Sequence, residues 1–283
     1  MAVLWKGIQV TFAFFLIAGL LFASGVFAVL LYAKATGHDA WITPGLRALA
    51  AAPGLEAAAA GTAADSAAAQ PEPAAAVPPQ PVKPASAMLD APMVRQLPEL
   101  PSGCEVTSLT MLLKFRGLEK SKLELAAEMP RDTTPIRYNK DGTIAYWGNP
   151  NTGFVGEPTG AAKGFGIYHT ALFAQLKAHV PSAIDLTRQP FAKLEEQLQL
   201  GIPSVVWTTI DYQVPEKWVV WDTPIGPIQT TFMEHAVLLV GYDETYVYVN
   251  DPLSGRSKQP IEKAQFIAVW EAMGRQAISY TNG

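Results

Sequence analysis

Apolar side chains follow one another without interruption near the start of the chain. No charged residue occurs between Gly7 and Ala33, and a helix that crosses the hydrocarbon core of a bilayer needs about 20 apolar residues. The pattern predicts an uncleaved membrane-spanning helix at residues 8–33, inside an N-terminal anchor at residues 1–38. A cleaved signal peptide is the competing interpretation, but the apolar region of such a peptide is only about 7–15 residues long. We therefore expect a single-pass anchor in the cell membrane.

Residues 39–87 have a different pattern, in which Ala and Pro dominate and charges are few. Such a segment buries too little apolar surface to fold, and its prolines prevent a continuous helix. It is predicted to be an extended linker that holds residues 88–283 away from the membrane. Lys6 and Lys34, on the two sides of the apolar segment, give only a faint orientation bias. The architecture favours an extracellular position for the third segment.

Residues 88–283 have the mixed pattern of a folded domain. Apolar residues spaced three and four apart predict helices, and near-continuous apolar runs predict strands buried on both faces. Residues 131–166 are rich in Gly, Asn, Pro and Thr, and they are predicted to form an irregular loop at the lip of a substrate groove. Helices followed by a mostly antiparallel sheet indicate an α+β domain. The predicted helices cover Val106–Phe115 with the turn before it, Ser121–Met129, Tyr168–Ala178, Phe191–Leu200 and Ile261–Met273, and the predicted strands cover Pro203–Ile210, His235–Tyr242, Tyr246–Asn250 and Gln276–Tyr280.

The net charge and the metal-binding residue types narrow the possible functions. The chain of 283 residues has a net charge of −4, so nothing favours binding to nucleic acid. A single cysteine excludes an internal disulfide and a cysteine-based zinc or iron–sulfur site. The four histidines lack the close spacing of metal ligands. We expect neither a metal nor another cofactor.

The one cysteine, Cys104, lies where a helix is predicted to begin. Ser102 and Glu105 have the spacing of a capping box, which would place Cys104 in the first helical turn. The unpaired N–H groups and the positive end of the helix dipole favour a thiolate there, and the thiolate is the nucleophilic form. Glu105 opposes this field, so a nucleophile would also need a histidine nearby. A buried cysteine without a chemical role is the alternative.

His235 and Asp251 are candidates to activate Cys104. His235 begins an apolar strand, Asp251 ends the next one, and the short turn between the strands brings the open ends of the hairpin side by side. Their contact would supply a base and a residue that orients the base. Glu234 is predicted to point to the opposite face of the strand from His235, and Gln96 could donate its amide to an oxyanion. Each residue has an alternative role. His235 could be a hydrogen-bonded histidine at a strand end, Asp251 could start a turn before Pro252, and Gln96 could be an ordinary loop residue.

Six motifs are spread over most of residues 89–280. They are Leu97–Leu113, Glu128–Pro130, Gly153–Gly156, Gly166–His169, His235–Tyr242 and Asn250–Pro252. Together they resemble the bacterial peptidase C39-like domains, which are papain-like relatives of the peptidases that trim bacteriocin leaders. The resemblance implies a papain-like fold in which Cys104 is the nucleophile and His235 the base. It also implies that Asp251 orients the base and that Gln96 donates to the oxyanion.

These expectations describe a membrane-anchored cysteine peptidase that cleaves a peptide or isopeptide bond through a thioester. Its partners would be a peptide or protein substrate and the membrane that residues 8–33 cross. Two other functions suit the same fold. One is transfer of the acyl group to an amine, and the other is binding of a peptide or cell-wall stem peptide without cleavage. Neither cleavage specificity nor oligomeric state has a signature in the sequence.

Overall fold

A computed structural model describes residues 84–282 of the chain. The predicted membrane helix, the anchor at residues 1–38 and nearly all of the predicted linker lie outside the described residues. Within residues 84–282, no helix is both long enough and apolar enough to span a bilayer. Ala87, the last residue of the predicted linker, already belongs to a strand.

The described residues contain five helices and fourteen strands. The helices are α1 (Cys104–Phe115), α2 (Lys122–Glu128), α3 (His169–His179), α4 (Phe191–Gln199) and α5 (Lys263–Ala272). The strands are β1 (Ala87–Met88), β2 (Arg131–Asp132), β3 (Arg137–Tyr138), β4 (Ile144–Tyr146), β5 (Phe154–Gly156), β6 (Gly164–Gly166), β7 (Ala183–Asp185), β8 (Ser204–Thr209), β9 (Val219–Thr223), β10 (Gly226–Thr230), β11 (Glu234–Tyr242), β12 (Tyr246–Asp251), β13 (Arg256–Glu262) and β14 (Ala277–Tyr280).

A seven-stranded sheet forms the centre of the domain. Its strands follow the order β13, β12, β11, β8, β14 and β7, and β1 pairs with the end of β11. Every pairing in this sheet is antiparallel. The predicted α+β class with an antiparallel sheet is confirmed.

Helices cover both faces of the central sheet. Successive residues of its inner strands point to opposite faces, and both sets are apolar. On one face Val205 and Leu238 share an apolar core with the buried side of α1. On the other face Val206 and Val237 share a core with α4 and α5. All nine residues of β11 are buried, and each large apolar side chain buried in this way stabilises the fold by about 1.5–3 kcal/mol. Burial on both faces explains the continuous apolar runs in the sequence.

Two smaller sheets contradict the irregular loop predicted at residues 131–166. The strands β10, β9, β4 and β3 form one sheet, and β2, β5 and β6 form the other. Within residues 131–166 the strands are only two or three residues long, which is too short for an alternating pattern. Some of their partners are distant in sequence, as in the pairing of Tyr146 with Asp222. The prediction was wrong because these strands depend on long-range pairing.

The last helix was predicted to begin too early. Residues Arg256–Glu262 form the edge strand β13, and α5 begins at Lys263, where the Glu262 carboxylate accepts hydrogen bonds from two N–H groups of the first turn. Polar side chains and Pro260 conceal this strand from an apolar pattern. Both features are typical of the edge of a sheet.

Candidate active site

Cys104 is the first residue of α1. At this position a backbone N–H has no partner inside the helix, so it can bind another acceptor. The residue before it, Gly103, is the N-cap and packs closely against Leu100. A Cβ atom on Gly103 would lie only 2.7 Å from the Cβ atom of Leu100. A glycine is therefore required for the close packing at the start of the helix that carries the thiol.

Glu105 is buried instead of capping α1. The predicted capping box with Ser102 is not formed, since no side chain caps this helix. Oε1 of Glu105 accepts a hydrogen bond from the N–H of Ile167 at 2.7 Å, and Oε2 accepts one from Cys104 Sγ at 3.3 Å. The same Ser-to-Glu spacing does form a capping box at Ser121, where α2 begins. The prediction for α1 was wrong because Glu105 finds buried partners.

The thiol of Cys104 is held in its neutral form. Burial raises the pKa of Cys104, and the neighbouring acidic side chains Glu105 and Glu234 raise it further. A helix N-terminus contributes only about 0.3–1 kcal/mol to the stability of a nearby anion, which does not outweigh these effects. The lowered thiol pKa that the sequence predicted is therefore wrong for this arrangement of the site.

His235 and Asp251 make the contact that the hairpin predicted. Nε2 of His235 lies 2.7 Å from Oδ1 of Asp251, and both side chains are buried. Burial acts to raise the pKa of Asp251, but the hydrogen bond and charge of His235 lower it to about 2. Asp251 is therefore ionised at neutral pH and holds the imidazole by Nε2. Nδ1 is left as the ring nitrogen that can exchange a proton in the site.

Gln96 lies in the loop that precedes α1. Its backbone N–H donates to the carbonyl of Pro252 at 2.9 Å, which ties this loop to the residue after Asp251. Its side-chain Nε2 donates to the carbonyl of Pro101 at 2.9 Å. A primary amide has two N–H donors, so one remains for another acceptor. Lys122 of α2 also donates to the carbonyl of Gln96 at 2.9 Å.

One cavity of about 120 Å³ brings the predicted residues together. Cys104, His235 and Gln96 lie in its wall, and Asp251 contacts the far side of the imidazole. Within residues 84–282, the hydrogen bond of Cys104 Sγ goes to Glu105, and none joins it to the imidazole. The four residues are thus gathered at one site, and their catalytic roles remain predictions.

Glu234 is a residue of the site that the sequence analysis missed. It lines the same cavity as His235 at the end of β11, although alternation along the strand keeps Glu234 on the face of Leu238 and α1, opposite to His235, as predicted. It is the first residue of β11 and is buried, and its Oε1 has no hydrogen-bond partner among the described residues. Burial raises the pKa of Glu234, and the charge of Glu105 adds to this effect. The one available signal was a glutamate beside a strand predicted to be buried on both faces, where charges are rare.

His169 belongs to a different cavity, of about 450 Å³, which Tyr168 and Arg188 also line. Its Nδ1 lies 2.9 Å from Oδ2 of Asp185. Cys104 is not in the wall of this cavity. The chain therefore contains a second His–Asp pair, which lies outside the candidate active site.

An apolar cavity adjoins the one that contains Cys104. It has a volume of about 400 Å³, and Trp218, Val219, Val220 and Phe232 form much of its wall. Phe232 also lines the cavity of Cys104. A peptide bound beside the thiol would therefore have an apolar recess within reach.

Cys104, Glu105 and Glu234 bring three donor atoms together in the part of the chain that the structure describes. The donor atoms of Cys104, Glu105 and Glu234 lie within 4.8 Å of one another. The thiol and Glu105 are hydrogen bonded to each other in this arrangement. The predicted absence of a metal stays a prediction.

Three comparisons with known proteins each found a similar sequence or structure. A sequence model described as the Peptidase C39-like family matches residues 88–278. The uncharacterized protein YvpB of Bacillus subtilis strain 168 is 35% identical over 193 residues, which are 67% of this chain and 74% of YvpB. A crystal structure described as a C39-like peptidase from Bacillus anthracis has a TM-score of 0.64 and 37% identity, and the match covers 70% of this chain and 98% of that one.

Proposed function

Since this chain belongs to the Peptidase C39-like family, and has the fold of C39-like peptidases, we propose that it is a papain-like cysteine peptidase. It would hydrolyse a peptide or isopeptide bond through a thioester on Cys104. The observation that carries the proposal is the buried pair of His235 and Asp251 at 2.7 Å, with the imidazole in the wall of the cavity that contains Cys104. A nucleophile, a base and an orienting carboxylate are the groups that this type of acyl transfer requires.

Acylation of Cys104 is the first step of the proposed reaction. The Cys104 side chain turns from Glu105 towards the imidazole, and Nδ1 of His235 takes the thiol proton. The thiolate attacks the carbonyl carbon of the substrate and forms a C–S bond. His235 then gives the proton to the nitrogen of the leaving amine as the C–N bond breaks. A thioester remains on Cys104.

In this proposal, two donors stabilise the oxyanion that forms during the attack. One is the backbone N–H of Cys104, which has no partner inside α1. The other is the second N–H of Gln96 Nε2, whose first N–H is fixed on Pro101. One such donor contributes about 10²–10³-fold to the rate in other enzymes.

Hydrolysis of the thioester completes the cycle. His235 takes a proton from water, the resulting hydroxide attacks the thioester carbonyl, and the C–S bond breaks. The acid product leaves, and the thiolate regains a proton from His235. Transfer to an amine would follow the same step with an amine in place of water.

The apolar cavity beside Phe232 supports a peptide substrate. It has room for an apolar side chain, with about 400 Å³ next to the nucleophile. Lys163 lies over the ring of Phe232 at 4.7 Å, at the boundary between this cavity and that of Cys104. We therefore propose a peptide or protein substrate with an apolar residue near the cleaved bond.

The location of the enzyme is a proposal that rests on sequence. Residues 1–38 would anchor the chain in the cell membrane through the apolar segment 8–33, and residues 39–87 would form the linker. The domain at residues 88–283 would then act at the outer surface of the cell. Limited proteolysis of intact cells tests this, because an outward domain is released by cleavage in the linker and an inward one is protected.

One observation favours a second candidate function, which is peptide binding without cleavage. The Cys104 thiol is hydrogen bonded to a carboxylate at 3.3 Å, and burial beside two acidic side chains keeps it neutral. A domain that only captured peptides would need no thiolate. The variant Cys104→Ser separates the two functions. A peptidase loses its activity and its biological role in this variant, whereas a binding domain retains its affinity for peptide and its biological role.

Cleavage of a peptide library by the full chain in detergent tests the proposed function. Cys104→Ala and His235→Ala are each expected to lower turnover by at least about 10²–10⁴-fold, because general acid–base catalysis alone contributes this much. The thioester is expected to appear as an acyl adduct on Cys104 by mass spectrometry.

The second His–Asp pair of the chain provides a matched control. His169→Ala removes an imidazole that contacts Asp185 at 2.9 Å in a separate cavity, and it is expected to leave turnover within a few-fold of wild type. Circular dichroism confirms that each variant is folded. Cleavage that persists in folded Cys104→Ala would refute the proposal.

A further inference from the structure

Two glutamates meet beside Cys104 although they belong to different elements. Glu105 is the second residue of α1, and Glu234 is the first residue of β11. Both carboxyl groups lie against Gly166 of β6. A Cβ atom on Gly166 would lie 2.3 Å from Oε1 of Glu105 and 3.0 Å from Oε2 of Glu234. The missing side chain at Gly166 therefore allows a buried pair of carboxyl groups next to the thiol.

This pair has no basic partner. Within residues 84–282, the bonds of Glu105 go to the N–H of Ile167 and to Cys104 Sγ, and no lysine or arginine side chain bonds either glutamate. Two ionised carboxylates that share a buried site repel each other, so one of them keeps a proton. Oε1 of Glu234 has no partner, whereas Glu105 accepts two hydrogen bonds, which favour its charged form. The proton is therefore on Glu234, and Glu105 carries the negative charge.

The charge on Glu105 acts against the thiolate that catalysis needs. Cys104 Sγ donates its hydrogen to Oε2 of Glu105 at 3.3 Å. A thiolate at the same place would put two negative charges in contact. In a partly buried site such a pair suppresses ionisation by about tenfold or more.

We infer that Glu105, paired with Glu234, is a proton-dependent gate on Cys104, and that a proton bound to Glu105 releases the thiol for attack. The inference rests on the proposed role of Cys104 as a nucleophile. The proton comes from solvent and binds Oε2, and no covalent bond between heavy atoms changes. Once Glu105 is neutral, Sγ loses its anionic acceptor and can give its proton to His235. In mildly acidic solution, Cys104 beside a neutral Glu105 then reacts more readily than it would beside a charged Glu105 at the same pH.

The other titratable groups around the pair are few. Tyr168 follows β6, and burial raises its pKa, so it stays neutral. His235 is the neighbour of Glu234 on β11 and is held by Asp251. Lys163 lies over Phe232 and bonds neither glutamate. His235 is the neighbouring group whose effect on the rate of alkylation the test must separate from that of Glu105.

The rate of alkylation of Cys104 by iodoacetamide, measured against pH on the full chain, tests the gate. In wild type the rate is expected to rise in two steps with a flat region between them, because ionisation of Glu105 offsets further thiolate formation. Glu105→Gln is expected to give one step and to raise the rate near neutral pH by about tenfold or more. A slower rate, or an unchanged two-step profile, in Glu105→Gln would overturn the inference.

Three further variants test whether the flat region of the alkylation profile comes from Glu105. His235→Ala and Glu234→Gln are both expected to keep the flat region, because Glu105 remains, and its loss in either variant would overturn the assignment to Glu105. Glu244→Gln removes one negative charge from the exposed turn between β11 and β12, and it is expected to change the rate by less than about twofold, because exposed charges are screened. Disappearance of the flat region on adding EDTA would show a bound cation instead of a proton and would also overturn the inference.

A measurement on wild type keeps the inference testable if Glu105→Gln does not fold. The infrared band of protonated carboxyl groups is expected to persist at neutral pH and to weaken over the pH range of the alkylation step. Its absence at neutral pH would contradict a shared proton. Peptide cleavage is followed in parallel. Cleavage by Cys104→Ala would refute the proposed function, whereas normal cleavage with no step in the alkylation profile would refute only the gate.

Discussion

Asp251 is the single residue whose charge the fold controls most clearly. Nε2 of His235 and the N–H of Leu253 lie 2.7 Å and 2.9 Å from its Oδ1. Burial opposes the charge, yet the hydrogen bonds and the imidazole lower the pKa of Asp251 from 3.8 to about 2. A carboxylate with a lowered pKa in the folded chain stabilises the fold above the pKa of the unfolded chain. That stabilisation is lost as the pH falls towards the folded value.

Asp251→Asn is therefore expected to reduce the acid sensitivity of the fold. Wild type should lose about 2 kcal/mol more unfolding free energy than the variant between about pH 4 and about pH 2, since one pKa unit corresponds to about 1.4 kcal/mol. Urea unfolding at the two pH values measures this difference. An equal loss in both proteins would show that Asp251 gains nothing from its folded environment.

The sequence predicted some residue contacts and missed others for a physical reason. The contact of His235 with Asp251 was predictable, because a short turn between two strands fixes the ends of the hairpin. The meeting of Glu105 with Glu234 was not, because it depends on the place that β6 gives to Gly166. The sequence pattern predicts local geometry, whereas contacts between distant segments can be predicted only when the whole fold is known.

Among the elements, α2 has a role beyond packing, because it holds the loop that carries Gln96. Nζ of Lys122 donates to the carbonyl of Arg95 at 2.6 Å and to that of Gln96 at 2.9 Å. It also pairs with Glu99 at 2.6 Å. Three acceptors on one loop meet a single ammonium group. The position of the proposed oxyanion donor therefore depends on α2.

Lys122→Met is expected to lower the rate of peptide cleavage by about tenfold or more, because a displaced Gln96 would miss the oxyanion. Alkylation of Cys104 should keep its rate, since that reaction forms no oxyanion. Lys120→Met is the matched control, as Lys120 pairs with Glu128 outside the loop. A parallel fall of cleavage and alkylation in Lys122→Met would show that the lysine serves stability alone.

Prediction of the elements themselves succeeded where the pattern is local. The long buried strands β8 and β11 and the helices were visible from their apolar spacing. The strands of residues 131–166 were not, because Arg131 pairs with Phe154 and Tyr146 with Asp222, and each strand has too few residues to show alternation.

The whole described molecule, residues 84–282, has its own apolar cores on the two faces of the sheet. Its first strand closes the domain, since Ala87 pairs with Tyr242 and Met88 with Gly241. The hydroxyl of Tyr242 also donates to the carbonyl of Pro84 at 2.7 Å. Residues 84–88 are therefore part of the folded unit.

A fragment of residues 84–283 is expected to fold and to unfold cooperatively without residues 1–83. A shorter fragment, residues 90–283, loses the pairing of β1 and the bond of Tyr242, and each lost hydrogen bond costs about 0.5–1.5 kcal/mol. Its melting temperature should be several degrees lower, which calorimetry measures. Equal melting temperatures would show that β1 contributes nothing to stability.

The pairing of β1 with β11 also defines a path for mechanical load. A pull on the chain at residue 84 is transmitted through β1 and Tyr242 to one end of β11. His235 and Glu234 lie at the opposite end of the same strand. A force applied at residue 84 therefore acts on the same strand that positions the imidazole of His235.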